Sequence, residues 1–191
     1  MNNLQKRDKN GLTEAEFLKT YSADKYPKPS LTADIIIISK KSAKARVLLI
    51  KRGGHPYIDC WAFPGGFAEP GETIEQTAAR ELSEETGLQG LSLIPVGFFS
   101  TPGRDPRGWV VTQTFLSLVP DELNAQAGDD ARDARWFELE HFENAVKLTC
   151  DDCVIEFEYS DKEPAEVIYK SEQRLAFDHG EMLAKALKLV N

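Results

Sequence analysis

Residues 80–87, Arg-Glu-Leu-Ser-Glu-Glu-Thr-Gly, set Glu81, Glu84 and Glu85 within about one turn of a helix. At roughly 100° per residue the three carboxylates share one face. Like charges at these spacings repel by about 0.2–0.5 kcal/mol per pair, and acids in a last turn also meet the negative end of the helix dipole. A hard divalent cation gives the arrangement a purpose. Mg²⁺ takes oxygen ligands, keeps several waters and is shared between carboxylates and substrate phosphates. It would turn repulsion into a preorganised site, polarise a phosphoryl oxygen and help generate hydroxide from water. The bland alternative is a solvated acidic face.

The elements that must position these side chains follow from patterning. Residues 73–86 read as a helix with Ala78, Ala79 and Leu82 beside the acidic stripe, ended by Gly87 at the left-handed position after its last turn. ADIIIIS (33–39) and ARVLLIKR (45–52) read as strands joined by a charged turn around KKSAK (40–44). WAFPGGFAEPGET (61–73) is a Gly/Pro-punctuated loop. LSLIPVGFFS (91–100) predicts a strand with a bulge at Pro95, followed by the loop TPGRDPRG (101–108). WVVTQTFLSLV (109–119) and a short ARWFEL (134–139) are further strands, and 175–190 is an amphipathic closing helix. Within 142–173, VKLTCDDCVIEFEYSD and AEVIYKSE read as an inserted hairpin. Residues 1–30 form an extension, with a mobile start, a short helix capped by Thr13 and Glu16, and the extended connector KYPKPS (25–30). The sum is an α/β (α+β) sandwich with a mixed sheet, a single domain over 31–191.

Composition narrows the class. The chain has 191 residues, 41% hydrophobic and 28% charged, and no run of about 18 apolar residues. The N-terminus lacks the apolar core of a secretory signal, and three cysteines make no disulfide framework, so a cytoplasmic protein is expected. The net charge is −8, and residues 138–191 hold 13 acids against 6 Lys and Arg. An acidic tail is ill suited to a phosphate backbone, so neither nucleic acid nor membrane is an expected partner.

Reading back from the glutamates, five residues separate Gly66 from Glu72, and seven more precede Arg80-Glu81-Leu82-Ser83-Glu84-Glu85-Thr86-Gly87-Leu88. This pattern resembles, at all nine specified positions, the Nudix box. The resemblance implies a Nudix hydrolase, an α/β/α sandwich that cleaves nucleoside diphosphates linked to another group. It further implies that Glu81, Glu84 and Glu85 bind Mg²⁺ or Mn²⁺ with the Gly66 carbonyl. Arg80 becomes an orienting partner of Glu72, and Glu85 the first candidate for general base. In relatives the base can come instead from a late loop, where Glu138, Glu140 and Glu143 stand here.

Substrate choice must lie outside the box. Pro102, fifteen residues past Gly87, resembles a mark of ADP-ribose pyrophosphatases, and GRDPRG (103–108) is similar to a segment of ADP-ribose hydrolases of NAD turnover. KYPKPSLTAD before the first strand and LAFDH near the end resemble the same group. Arg104 and Arg107 suit bidentate oxyanion contacts, Asp105 can hold an arginine or a ribose hydroxyl, and Arg52 is a further phosphate candidate. Trp61, Phe63 and Trp109 are candidates to stack on adenine, or else core. Cys150 and Cys153 have metal-ligand spacing, with His141 and His179 as conceivable completions of a zinc site, or they flank a hairpin turn; His55 is read as a loop residue. The expected function is metal-dependent hydrolysis of ADP-ribose to AMP and ribose 5-phosphate, with a small-molecule nucleotide as partner and a homodimer as assembly. The alternatives are another nucleoside-diphosphate substrate or an ADP-ribose-sensing regulator, whose family relatives carry a basic DNA-binding domain. The insert extends the sheet, covers the site or builds a dimer contact; the three stay open.

Overall fold

The computed structural model describes residues 6–40, 44–128, 131–151 and 153–190. Thr13 and Glu16 close a reciprocal capping box on helix α1 (Glu14–Thr20), as their spacing requires. Strands β1 (Ser30–Ser39) and β2 (Ala45–Arg52) pair antiparallel with Ile37 opposite Leu48. The centre of the KKSAK turn between them, 41–43, lies outside the described residues. Ile35, Ile36, Ile37 and Ile38 are all buried, and such an unbroken apolar run needs cover on both faces. Ala33, Ile35 and Ile37 pack with Ala78 and Leu82 of helix α2 (Ile74–Thr86). Ile36 and Ile38 join Met182, Leu183 and Leu187 of helix α3 (His179–Leu187) on the other face. The result is the sandwich with a mixed sheet that the patterning called for, layered α/β/α as the Nudix resemblance implied.

Between β2 and α2 the structure departs from the expected plain loop. Residues 61–73 contain two short strands, β3 (Trp61–Ala62) on β2 and β4 (Gly65–Phe67) on β1. Strand β5 (Ile94–Phe99) begins three residues later than read, with its register shift between Pro95 and Gly97. It pairs with β6 (Val110–Val119), which lies parallel to β1 with Thr32 opposite Thr112. Strand β7 (Ala131–Phe142) is twice the length expected, because it pairs with β2 on one side and β8 (Ala145–Cys150) on the other.

The insert is more than a hairpin. β8 and β9 (Cys153–Tyr159) form the hairpin, and β10 (Val167–Tyr169) adds a third strand. The order β10-β9-β8-β7-β2-β1-β6-β5 makes the insert an extension of the sheet. The closing helix is shorter than its amphipathic pattern. Leu175 bridges Trp61, the Ala176 amide donates to the Trp61 carbonyl (2.8 Å), and Phe177 turns at φ 49°, so α3 starts only at His179. Among the described residues no helix is long and apolar enough to cross a membrane.

Candidate active site

Helix α2 presents the acidic cluster. Thr73 caps its start in a reciprocal box with Gln76, and Gly87 ends it at φ 71°. Carbonyls of the last turn are met from outside: the Gln126 amide donates to Thr86 O (3.0 Å) and that of Gly128 to Glu85 O (3.2 Å). Arg80 then ties the carboxylates together. Its Nε and Nη2 donate to the two oxygens of Glu72 (2.8 and 3.1 Å), Nη1 to Glu81 (2.7 Å) and Glu84 (3.0 Å), and Nη2 also to the Phe67 carbonyl (2.8 Å). The guanidinium, with an amide and the Thr77 hydroxyl, holds Glu72 down near pKa 2. Glu72 therefore stays an ionised anchor for Arg80.

Glu85 is placed differently. It is half-buried, and its Oε2 accepts from the Gly65 amide (2.8 Å). Burial first, then the charges of Glu81 and Asp34, push its pKa up to about 8 against the lowering effect of that hydrogen bond. Glu81 is raised too, chiefly by burial. Gly66 runs so close beneath Glu81 that a Cβ there would stand 2.5 Å from its carboxylate. These crowded hard oxygens suit a divalent cation in chemistry. Among the described residues no three or more His, Cys, Asp or Glu are gathered so as to hold a metal ion by themselves, and Mg²⁺, shared with waters and substrate phosphates, does not require such a group.

Glu81, Glu85 and Arg80 line a cavity of about 710 Å³ whose other wall is basic. Arg104, with a side chain only 5% exposed, is held by both oxygens of Asp178 (2.6 and 2.7 Å). Burial opposes its charge, and Asp178 more than restores it. Arg107 is held by buried Asp105, whose carboxyl is lowered because Arg107 outweighs the cost of burial. The Arg107 guanidinium also lies 4.7 Å from the ring centre of Phe67 and 5.5 Å from that of Phe177. Arg52 stacks on Phe177 at 5.0 Å and donates to the Pro56 carbonyl (2.9 Å). Among the described residues it meets no carboxylate at ion-pair distance.

Two side chains in this lining stand in arrangements that the sequence reading did not assign to them. Asp34, on β1, accepts from the Thr112 hydroxyl at 2.6 Å and faces His179 Nε2 at 3.6 Å. His179 Nδ1 accepts from the Phe63 amide at 2.9 Å, which places the imidazole proton on Nε2. Burial lowers the pKa of His179 to about 3, so the ring is neutral, and it raises that of Asp34.

Other expected residues are not brought here. Trp61 is 4% exposed, packs edge-on against Phe137, and borders a separate, smaller cavity with Lys51, Asp133 and Arg135. Its place on β3 turns it into the core, away from any base-stacking role. Trp109 is exposed outside the lining, whereas Phe63 lies buried in it, stacked on His179. Glu84 is not in the lining and reaches the cluster through Arg80; His55 is in it. Glu138 and Glu140 sit in β7, Glu138 paired with Lys44, and Glu143 in the turn after it. None of the three lines the cavity, so the late-loop base finds no counterpart in this lining. Cys150 opposes Cys153 at the end of the β8–β9 hairpin, as a turn-flanking pair would, with Asp152 outside the described residues. His141 bonds the Tyr159 hydroxyl (2.7 Å) and His179 faces Asp34, so neither histidine joins the cysteines.

Residues 28–152 match the model of the NUDIX domain. The chain is 41% identical over 152 residues to an ADP-ribose pyrophosphatase of Methanocaldococcus jannaschii, covering 79% of this chain and 83% of that one. A MutT/nudix family protein from Enterococcus faecalis superposes with a TM-score of 0.82 at 38% identity, over 94% of this chain and 70% of the other. The NUDIX domain of Shewanella oneidensis NrtR, solved with ADP ribose, superposes with a TM-score of 0.71 at 25% identity, over 94% of this chain and all of that one.

Proposed function

Since the chain belongs to the NUDIX domain family and is a Nudix hydrolase, we propose that it hydrolyses ADP-ribose to AMP and ribose 5-phosphate. The observation that carries this reading is the opposition, across one cavity, of the Glu81–Glu85 wall and the Arg52–Arg104–Arg107 wall. A diphosphate linking two ribosyl groups suits a slot with cation-binding carboxylates on one side and guanidinium groups on the other. The pyrophosphatase of M. jannaschii and the ADP-ribose complex of NrtR support the choice of sugar and base.

In this reading Glu81, Glu84 and Glu85, with the Gly66 carbonyl, hold Mg²⁺ or Mn²⁺. Bound there, the cation supplies Lewis-acid charge and eases deprotonation of water. Arg80, fixed by Glu72, sets the spread of Glu81 and Glu84. Glu85 takes the proton of the attacking water. One bridging P–O bond breaks as water attacks; Arg52 binds the non-bridging oxygens of the diphosphate, and Arg107 and Arg104, held by Asp105 and Asp178, shape the wall around it. The active assembly proposed is a homodimer.

The test is a substrate panel with Mg²⁺ or Mn²⁺: ADP-ribose, NADH, diadenosine polyphosphates, sugar nucleotides and nucleoside triphosphates. ADP-ribose is expected among the best by kcat/KM, and a better rate on another member would replace it as the substrate. The likeness to NrtR favours a second reading, a sensor of ADP-ribose; tight binding without turnover in the same assay is its signature.

A further inference from the structure

We infer that His179 is a positioning residue for Glu85, acting through the backbone of residues 63–65. The inference rests on the proposed role of Glu85 and goes beyond it. Every link is a contact already in place. His179 Nδ1 accepts from Phe63 N–H at 2.9 Å. Two residues on, the Gly65 N–H donates to Glu85 Oε2 at 2.8 Å. Between them, the Pro64 carbonyl accepts from the Ile35 amide (2.8 Å), so the segment is fastened to β1 at its middle.

The imidazole is itself held on all sides. Its ring stacks on Phe63 (centroids 5.2 Å, 7° apart) and lies 5.6 Å from Phe177. Its Nε2 edge faces Asp34, and Asp34 is fixed by the Thr112 hydroxyl on β6. Gly65 has no room to move toward β1, since a Cβ there would meet Ala33 O at 2.2 Å and Asp34 Oδ1 at 2.8 Å. The Gly65 amide is thereby aimed at Glu85 by a chain of four elements, β6, β1, α3 and the β3–β4 segment. Nδ1 is the atom that matters at the α3 end, because an unsatisfied Phe63 N–H in this buried place would be costly.

The test uses pairs of variants that differ in where they offer an acceptor. In His179→Asn the side-chain carbonyl can occupy the Nδ1 position; in His179→Gln the amide reaches the Nε2 position instead; His179→Phe offers neither. Steady-state kinetics on the best substrate of the panel should show kcat reduced about tenfold or more in His179→Gln and His179→Phe, with KM little changed. His179→Asn should recover most of kcat, although it loses the same ring stacking. In the metal-free protein the Gly65 amide proton resonance should move in the Gln and Phe variants and stay near its wild-type position in the Asn variant. Wild-type kcat in folded His179→Gln, equal losses in Asn and Gln, a loss confined to KM, or an unmoved Gly65 resonance would each overturn the inference. If the 179 variants do not fold, Thr112→Val tests the far end of the chain: kcat should fall at constant KM, and an unchanged kcat overturns the inference. Glu85→Gln separates the two readings. If it is fully active, the role of Glu85 is wrong; if it is inactive while His179→Gln keeps wild-type kcat, only the positioning role is lost.

Discussion

On one wall of the cavity a single guanidinium, Arg80, serves Glu72, Glu81 and Glu84, while Glu85 stands apart with one amide donor. On the opposite wall Arg104 has Asp178, Arg107 has Asp105, Arg132 has Asp59, and Arg52, among the described residues, has a carbonyl oxygen and the face of a ring. The acidic wall is thus short of positive charge, and the basic wall has most of its charge already balanced by carboxylates. The difference teaches that the two walls seek different things from solution. In the proposed function the first takes up a cation. The second needs mainly an anion at Arg52, and its paired arginines offer fixed shape more than free charge.

Removing the unsettled carboxylate should break this asymmetry most severely. Glu85→Gln is expected to lower kcat by a factor of about 10²–10⁴, the range of a lost general acid–base group. Its melting temperature at pH 8 should not fall, since a buried charge is removed. Next in size, Asp178→Asn leaves Arg104 buried without its counter-charge. Urea unfolding should show a loss of about 3 kcal/mol, the low end for breaking a buried pair; no loss would mean that Arg104 is not held by charge. Arg52→Ala should raise KM for the diphosphate substrate about tenfold while moving kcat less, as removal of one charged hydrogen bond suggests. A smaller effect there than in Arg107→Ala would reverse the roles assigned to the two.

Stability against pH probes the same asymmetry in a different way. In the native state Glu85 titrates near pH 8, against 4.5 for its ordinary value. A pKa raised on folding gives stability that is complete below about pH 4.5 and is lost as pH rises towards 8. In EDTA the melting temperature should therefore drift down across that window. Mg²⁺ should raise it more at pH 8 than at pH 5.5, and an equal rise at both would detach the cation from Glu85.

The acidic wall was readable because it is local. Gly66, Glu72, Arg80 and the three glutamates lie within 20 residues, on one loop and one helix whose period and cap residues announce themselves. The basic wall is assembled by tertiary pairing. Asp178 lies 74 residues from Arg104, and no periodicity relates them. His179 looked like a stray metal ligand because its partners, Asp34 and the Phe63 amide, come from distant strands. Trp61 stood open between base stacking and core because a two-residue strand is too short to show which face its side chains take, and the fold places it in the core. The length of β7 was missed for a related reason: its outer residues alternate charges, and pairing on both edges holds them in the sheet.

The return of residues 175–179 to the cavity also orders the making of this enzyme in time. Chains leave the ribosome from the N-terminus and fold as they emerge. A nascent chain extended only to Lys170 already carries the glutamates of α2 and Arg52, Arg104 and Arg107 of the basic wall. It has neither the Asp178 carboxylate that secures Arg104 nor the His179 acceptor for the Phe63 amide. The nine residues 171–179 supply both, so the two walls are secured only by the last part of the chain to fold.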